Sequence, residues 1–218
     1  ERLVKKHHPE NILIKYTVAP QNPLIIEDQG EEPGAANNNN SLNPSKRSLN
    51  ENYTFSAFIE GSHNQFAKAA ANNVRKEPGQ QSFNPLVIYG GVGMGKTHLL
   101  HAIGNGILDD DPQKNIVCAS SEKFTLDFIS SIQKNKTVEF SKTYRNADVL
   151  LIDDIQFFQG KEQTQEQFFH TFNELFQAGK QIVLTADRYP GEMVGLQDRL
   201  LSRFSSGLAV DIQPANYE

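Results

Sequence analysis

The chain has 218 residues, of which 38% are hydrophobic and 22% charged, and its formal net charge is −5. This length accommodates one medium-sized domain with a hydrophobic core and an additional shorter segment. The acidic balance argues against a broad basic surface that coats nucleic acid, although it permits a small local binding site. The single cysteine, Cys118, excludes an internal disulfide framework, and its small and apolar neighbours predict a buried thiol in a reducing compartment.

The beginning of the chain predicts two regions that precede the main domain. Residues 11–19, NILIKYTVA, are rich in β-branched residues and predict one strand, which is not stable without partners. We therefore interpret residues 1–19 as the remnant of an N-terminal partner-binding domain. Residues 20–52 are expected to be a flexible linker, because residues 29–50 contain almost no large apolar side chains. No apolar run approaches the roughly 20 residues of a membrane span, and the first residues do not have the pattern of a signal peptide. Because the sequence begins without Met, we expect a fragment.

From residue 53 to residue 218 the pattern predicts a globular domain in which helices and strands alternate. The predicted helices cover residues 63–75, 96–108, 121–133, 162–179 and 196–204. The first of them has apolar residues at helical spacing, namely Phe66, Ala67, Ala70, Ala71 and Val74. The predicted strands cover residues 85–90, 114–120, 148–153, 181–186 and 207–212. Continuous apolar strands that alternate with helices predict an α/β fold, with a parallel sheet flanked by helices on both faces.

The segment GGVGMGKT, at residues 90–97, fits the phosphate-binding pattern G-x-x-x-x-G-K-[ST] in full. Its glycines let backbone N–H groups point at phosphate oxygens, and the next helix adds a positive N-terminal dipole. Lys96 is expected to reach the β- and γ-phosphates, and the Thr97 hydroxyl to ligate Mg²⁺. A strand before the pattern and a helix after it argue against a chance glycine-rich turn. The residues assigned to the nucleotide here are Gly91, Gly93, Gly95, Lys96, Thr97 and His98.

The third predicted strand ends in two adjacent carboxylates, in DVLLIDD at residues 148–154. Two like charges at the end of a buried strand are unfavourable unless a cation lies beside them. Asp153 is expected to hold Mg²⁺ through its coordinated water, and Asp154 to polarise the attacking water as a general base. The shorter Asp, where many such ATPases carry Glu, predicts slow hydrolysis and a timing role. The alternative is that both aspartates merely cap a strand end.

Three further charged residues follow the fourth predicted strand. Asp187 comes after residues 181–186, at the edge of the sheet expected to border the γ-phosphate. Arg199 and Arg203 lie on one face of the helix predicted at residues 196–204. An arginine in this position can stabilise the transition-state charge of a nucleotide bound to a neighbouring subunit. On spacing alone, ordinary solvated helix charge is the alternative.

With these motifs together, residues 53–218 closely resemble the DnaA family of bacterial chromosomal replication initiators, which are P-loop NTPases of the AAA+ class. The resemblance rests on NPLVIYGGVGMGKTHLLHAIGN, LLIDDIQFF, QEQFFHTFNELF, LTADRYP and DRLLSRF. In addition, TFSAFIEGSHNQFAKAAA resembles the segment that lines the adenine pocket in this family. The resemblance implies that ATP binding drives oligomerisation on origin DNA and duplex opening, and that slow hydrolysis switches the protein off.

The resemblance also implies roles for individual residues and a set of partners. It matches Asp187 to the first nucleotide sensor of the family, and Arg203 to the arginine finger that reads ATP on the next protomer. It suggests that Ile129 and Lys161 contact single-stranded DNA. The implied partners are origin DNA, further copies of the chain, the replicative helicase and acidic phospholipids, in the cytoplasm.

Two departures from the family pattern bear on DNA binding. Gln163 stands where the best-known members carry a basic residue that grips single-stranded DNA. The chain also stops before the family's helical lid, its second sensor arginine and its helix-turn-helix domain, so we expect no sequence-specific duplex binding. Two other classes stay open as alternatives. A helicase loader shares the ATPase core but would lack the N-terminal strand and linker, and a metabolic P-loop kinase would need a substrate-phosphate site.

Overall fold

The computed structural model describes residues 48–214, so the predicted domain remnant and most of the predicted linker lie outside the described residues. The described part forms six α-helices and five strands. In chain order they are α1 (Gln65–Lys76), β1 (Leu86–Gly90), α2 (Lys96–Asp110), β2 (Ile116–Ser120), α3 (Ser121–Gln133), α4 (Thr137–Arg145), β3 (Val149–Asp153), α5 (Glu162–Gln177), β4 (Gln181–Ala186), α6 (Asp198–Phe204) and β5 (Leu208–Ile212). A short 3₁₀ turn at Ile155–Phe158 follows β3.

The five strands form one parallel sheet in the order β2-β3-β4-β1-β5. Successive side chains point to opposite faces of the sheet, so Leu86 and Ile88 of β1 pack against α1 and α2, whereas Val87 packs against the opposite layer. That second layer contains α3, α4, α5 and α6 and is rich in aromatic side chains. The predicted α/β fold, with helices on both faces of a parallel sheet, is confirmed.

The carboxyl ends of the strands bring the predicted polar residues to one edge of the sheet. β1 runs directly into the glycine-rich loop and α2. The register pairs Asp153, the last residue of β3, with Ser120, and Tyr89 of β1 with Ala186 of β4. Because β4 lies between β1 and β3, Thr185 stands between the loop and Asp153. This arrangement is typical of ligand sites in open α/β sheets.

Local sequence signals explain several helix ends. The Ser120 side chain accepts a 3.1 Å hydrogen bond from the backbone N–H of Lys123, which caps the start of α3. After α5 the chain turns at Gly179, where φ is +67°, a conformation that glycine adopts without strain. β4 then follows with the predicted bounds. No helix within residues 48–214 is long and apolar enough to span a bilayer.

The structure departs from the sequence expectations in three places. Helix α4 was not predicted, because its sequence TVEFSKTYR offers only Phe140 and Tyr144 as buried positions. Phe66 is 61% exposed although its spacing placed it with the buried residues of α1. Leu49, assigned to the linker, is only 7% exposed and packs into the core beside α2. The folded domain therefore begins before Tyr53. The predicted burial of Cys118 is confirmed, and burial raises the pKa of its thiol to about 12.

Candidate nucleotide-binding site

The glycine-rich loop between β1 and α2 is closed by its own lysine. Gly95, the residue before α2, has φ +87°, and a Cβ at this position would lie 3.1 Å from the ring of Phe58. The positive φ favours glycine there, and the close ring leaves little room for a side chain. The Lys96 ammonium donates a 2.8 Å hydrogen bond to the backbone carbonyl of Gly91, across the loop, and Lys96 is only 7% exposed. The loop therefore holds a largely buried cation at the start of a helix, which is an arrangement suited to phosphate.

Two threonines hold the carboxylate of Asp153 at both of its oxygens. The Thr97 hydroxyl, at the start of α2, donates a 2.8 Å hydrogen bond to Asp153 Oδ2. The Thr185 hydroxyl of β4 donates to Asp153 Oδ1. Oxygen atoms from Thr97 and Asp153 thus meet at the carboxyl edge of the sheet, as the motifs predicted. Hydroxyl and carboxylate oxygens are the ligands that Mg²⁺ takes in proteins, together with phosphate oxygens and water.

This pair of side chains fits a magnesium ion that arrives with a nucleotide. Within residues 48–214, no group of three or more His, Cys, Asp or Glu side chains is arranged to hold a metal alone. Mg²⁺ in phosphate-transfer sites uses one or two carboxylates plus the substrate phosphates rather than a complete protein cage. Thr97 and Asp153 would hold the ion, and the phosphates and water would complete its coordination.

Asp154 adopts a different conformation from its neighbour, with φ 57° and ψ 57° in the left-handed region. Its backbone N–H donates a 2.8 Å hydrogen bond to the Thr185 hydroxyl, and its carbonyl accepts a 2.6 Å bond from the Ser121 hydroxyl. Its Oδ1 accepts a 2.9 Å bond from the side-chain amide of Gln156. The adjacent carboxylates of Asp153 and Asp154 are therefore held by separate groups, although Thr185 contacts both residues.

His98 connects α2 to the chain segment that precedes α1. Its ring stacks on Tyr53 at a centroid distance of 4.8 Å and meets Phe58 edge-on at 5.4 Å. Its Nε2 lies 2.8 Å from the backbone carbonyl of Thr54. His98 thus holds Tyr53 and residues 54–58, the beginning of the segment likened to an adenine pocket, against the helix that follows the phosphate loop. Its assignment to direct cofactor binding remains a prediction.

Asp187 follows β4 at the same edge of the sheet and is half-buried. It forms a bidentate contact with the adjacent Arg188, with distances of 3.1 and 2.9 Å. The Arg188 guanidinium, and to the smallest degree the Lys96 ammonium, hold the pKa of the Asp187 carboxyl below its usual value, against the effect of burial. Asp187 is thus an anion on the same side of the sheet as the phosphate loop.

The two arginines of α6 rest on aromatic rings of α5. The guanidinium carbon of Arg199 lies 4.7 Å from the ring centroid of Phe169, and that of Arg203 lies 5.9 Å from Phe176. Both distances are within the range of cation–π interactions. Within residues 48–214, the arginines that form ion pairs with carboxylates are Arg75, Arg145 and Arg188, and neither arginine of α6 is among them.

Arg203 lies near the amino-terminal ends of the strands, whereas the phosphate loop follows the carboxyl end of β1. It precedes β5 by a few residues, and β5 begins with Leu208, which pairs with Leu86 at the start of β1. The loop instead follows Gly90, the end of β1. A five-residue strand advances about 13 Å between its first and last residues. Arg203 is therefore poorly placed to reach the loop of its own chain.

The two residues predicted to contact single-stranded DNA line one groove. Ile129 is 44% exposed on α3, and Lys161 is exposed at the start of α5. Together with Phe128, Ile132 and residues 160–164, which include Gln163, they line a groove of about 440 Å³. The structure thus brings an apolar surface and one lysine together. Their role in DNA binding remains a prediction.

Comparison with known proteins identifies the family. Residues 49–211 match the family model described as the bacterial DnaA ATPase domain. The chain belongs to the DnaA family. The chromosomal replication initiator protein DnaA of Chloroflexus aurantiacus is 58% identical over 170 residues, which make up 78% of this chain and 35% of the relative. The chain therefore spans about a third of the length of this curated DnaA.

Solved DnaA structures share the fold. Domain III of Thermotoga maritima DnaA is 48% identical, with a TM-score of 0.75, over 77% of this chain and 70% of that one. A DnaA bound to AMPPCP and single-stranded DNA is 40% identical, with a TM-score of 0.73, over 77% of this chain and 51% of that one. The DnaC helicase loader, at 16% identity and a TM-score of 0.66, shares the fold alone.

Three residues that contact Asp153 or Asp154 were not predicted from the sequence. Thr185 is fully buried in β4 and contacts both Asp153 and Asp154, and a lone hydroxyl in the apolar run QIVLTA was a usable signal. Ser121 and Gln156 also bond to Asp154. Nothing in the sequence pattern marked these two, because their contacts depend on how α3 and the 3₁₀ turn pack at the end of β3.

Proposed function

We propose that this chain carries the ATP-binding core of a DnaA-type initiator of chromosomal replication. ATP binding drives assembly on origin DNA and opening of the duplex, and slow hydrolysis ends the active state. The observation that carries the proposal is the Thr97–Asp153 hydrogen bond at 2.8 Å, which joins the phosphate loop to the carboxylate strand. Support for ATP as the ligand comes from the 40% identical DnaA solved with AMPPCP.

The residues at the carboxyl edge of the sheet have separate roles in ATP binding and ATP hydrolysis. Lys96 neutralises the β- and γ-phosphates, and Thr97 and Asp153 hold Mg²⁺. Bound Mg²⁺ supplies positive charge that offsets the charge developing on the phosphates. Asp154 accepts a proton from the attacking water as a general base. Asp187, whose charge is maintained by Arg188, senses the γ-phosphate.

Assembly depends on an arginine that acts on the neighbouring subunit. Arg203 lies toward the edge of the sheet away from its own phosphate loop, and its guanidinium is held by Phe176 rather than by a carboxylate. In a filament this arginine contacts the ATP of the next protomer. A cation that reads the neighbour's nucleotide makes assembly depend on ATP, because without the γ-phosphate the contact is lost.

The groove that contains Ile129 and Lys161 binds single-stranded DNA exposed by duplex opening. The apolar side chains stack against bases and Lys161 neutralises a phosphate. Gln163 carries no charge, so this groove binds single-stranded DNA more weakly than a groove with a second basic residue would. Binding to the replicative helicase and to acidic phospholipids, and action in the cytoplasm, rest on the family resemblance alone.

The test is assembly of the full-length protein on origin DNA in the presence of ATP or ADP. We expect oligomers and melted strands with ATP and neither with ADP, measured by crosslinking and by reactivity of unpaired thymines. Lys96→Ala serves as the negative control. A helicase loader would show no origin melting, and a metabolic kinase would instead transfer phosphate to a small substrate. Equal assembly with ATP and ADP would refute the proposal.

A further inference from the structure

Among residues 48–214, the side chain of Asp154 has a single hydrogen-bond partner. The backbone of this residue is fixed on both sides, since its N–H is bonded to Thr185 and its carbonyl to Ser121. These bonds locate the Cα atom but leave the carboxylate free to rotate about χ1 and χ2. In the part of the chain that the structure describes, the one hydrogen bond to this carboxylate comes from Gln156 Nε2, at 2.9 Å from Oδ1.

The orientation of the Gln156 amide is set by chemistry. A carboxylate accepts hydrogen bonds and cannot donate them when ionised, so the amide must turn its NH₂ group toward Asp154. A flipped amide would place two acceptor oxygens against each other. In the orientation observed, Gln156 Oε1 is buried and has no hydrogen-bond partner among residues 48–214. An unsatisfied buried acceptor is unfavourable, so this glutamine does not optimise the stability of its own surroundings.

Packing of the 3₁₀ turn depends on other residues. Ile155 and Phe158 of the same turn are both fully buried in the aromatic layer of the core, whereas Gln156 is half-buried. An apolar residue of similar size at position 156 would remove the unsatisfied oxygen without emptying the core. The glutamine is therefore best explained by what it does to Asp154.

We propose that Gln156 is the positioning residue that sets the Asp154 carboxylate for ATP hydrolysis. The inference rests on the proposed role of Asp154 as the general base. With Oδ1 engaged by Gln156, Oδ2 takes the proton of the attacking water. The water oxygen bonds to the γ-phosphorus, and the bond to the bridging oxygen breaks and releases ADP. Misplacement of a catalytic group by about 1 Å can reduce a rate by about 10²-fold, so the amide controls turnover without contacting ATP.

The experiment compares three variants of the full-length protein, Gln156→Leu, Gln159→Leu and Asp154→Asn. Gln159 is an exposed glutamine at the end of the same turn, so it is a matched control for the loss of an amide. Equilibrium ATP affinity, thermal midpoint and the single-turnover hydrolysis rate are measured for each. We expect Gln156→Leu to hydrolyse ATP about 10- to 100-fold more slowly. Its affinity for ATP should match that of the wild type, and its thermal midpoint should be equal or higher, because the unsatisfied oxygen is removed. Gln159→Leu should behave as wild type throughout.

The outcomes separate this inference from the proposed function. If Asp154→Asn is slow and Gln156→Leu is as fast as wild type, the positioning role is refuted while the general base stands. If Asp154→Asn retains the wild-type rate, the role of Asp154 itself fails and the inference falls with it. A Gln156→Leu variant that loses ATP affinity or thermal stability in parallel with its rate would show a structural role and would also overturn the inference.

Discussion

The carboxyl edge of the sheet and the α6 surface contain charged residues that are held in different ways. At the carboxyl edge, Asp153 is bonded to Thr97 and Thr185, so residues from three elements fix one another. On α6, the guanidinium groups of Arg199 and Arg203 lie over aromatic rings of α5, and Arg199 also donates a hydrogen bond to the side chain of Gln197. The charged group of the first region is therefore held by hydrogen bonds within one chain. The second presents cations without a carboxylate partner among the described residues.

Under the proposed function, this difference predicts which substitutions affect a single subunit and which affect its assembly. A site whose charges are mutually satisfied can bind its ligand without help, because its geometry exists before the ligand arrives. A cation that rests on a ring keeps its charge available for another anion, since the ring does not neutralise it. We therefore expect substitutions at the carboxyl edge to affect ATP binding, hydrolysis or stability, and substitutions on α6 to affect assembly.

The largest expected effect comes from Lys96→Ala. The Lys96 ammonium is the cation of the phosphate loop, and losing one partner of a buried charge contact typically reduces binding by about 2–5 kcal/mol. ATP retention by the full-length protein should fall below detection in a filter or fluorescence assay. Lys76→Ala, an exposed lysine at the end of α1, is the control and should retain ATP fully. Retention by Lys96→Ala at the wild-type level would remove the basis for the phosphate site.

Arg203→Ala should separate ATP binding from assembly. The monomer keeps Lys96, Thr97 and Asp153, so its ATP affinity should be nearly unchanged. Assembly on origin DNA should fail, because each ATP loses the cation supplied by the next protomer. Arginines that act across subunits contribute about 10³–10⁵-fold to hydrolysis, so assembly-stimulated turnover should also fall steeply. Fluorescence titration and crosslinking on origin DNA measure the two properties.

Arg199→Ala is the matched control for that experiment. It removes the same charge one helical turn earlier, from a guanidinium that rests on Phe169. We expect it to retain more assembly than Arg203→Ala. An equal loss in both variants would favour general helix charge over a specific contact, and a loss of monomer affinity in Arg203→Ala would place this arginine in its own site.

The contrast between the two regions also explains what could be predicted from the sequence. The carboxyl edge was predictable because residues that follow parallel strands meet at one edge, and the motifs name Lys96, Thr97 and Asp153 directly. For Arg203, spacing alone did not distinguish a functional arginine from solvated charge, and only the family resemblance assigned its role. The contacts of Ser121 and Gln156 arise from tertiary packing, for which local sequence carries no signal.

The same physical reasoning applies to the fold. β4 was predicted with its observed bounds, because Gly179 precedes the apolar run and Asp187 follows it. Helix α4 was missed because a β-branched start and two apolar positions give a weak helical signal. Leu49 was assigned to the linker because its neighbours are polar. The Asn105 side chain donates hydrogen bonds to the backbone carbonyls of Asn50 and Tyr53. These bonds hold the segment that contains Leu49 against α2.

Thr185→Val tests whether the hydrogen bonds of Thr185 to Asp153 and Asp154 stabilise the carboxyl edge of the sheet. Valine keeps the shape of a fully buried threonine but removes the hydroxyl that donates to Asp153 and accepts from Asp154. The free energy of unfolding should fall by about 1–3 kcal/mol, because groups that are already partly desolvated lose their partner. Hydrolysis should fall as well. Urea denaturation and single-turnover kinetics measure these effects.

Thr171→Val is the control for Thr185→Val. Thr171 is also fully buried, but its one hydroxyl hydrogen bond among residues 48–214 goes to the carbonyl of Gln167 in its own helix. That carbonyl is available to the α5 backbone, so we expect a smaller loss of stability and normal hydrolysis. If both variants were destabilised equally and hydrolysed ATP normally, Thr185 would have no role beyond that of a buried hydroxyl.

The smallest expected effect concerns the ring beneath Arg203. Phe176→Leu removes the aromatic face that lies 5.9 Å from the guanidinium carbon but keeps an apolar side chain at the end of α5. A cation–π contact at an accessible site contributes about 0.5–1 kcal/mol, which corresponds to an assembly midpoint raised about two- to fivefold in protein concentration. Monomer affinity for ATP should not change, because the ring lies away from the phosphate loop. Phe169→Leu makes the same replacement beneath Arg199 and should shift the midpoint less. Equal shifts, or no shift in Phe176→Leu, would mean that the ring does not hold Arg203 for its neighbour.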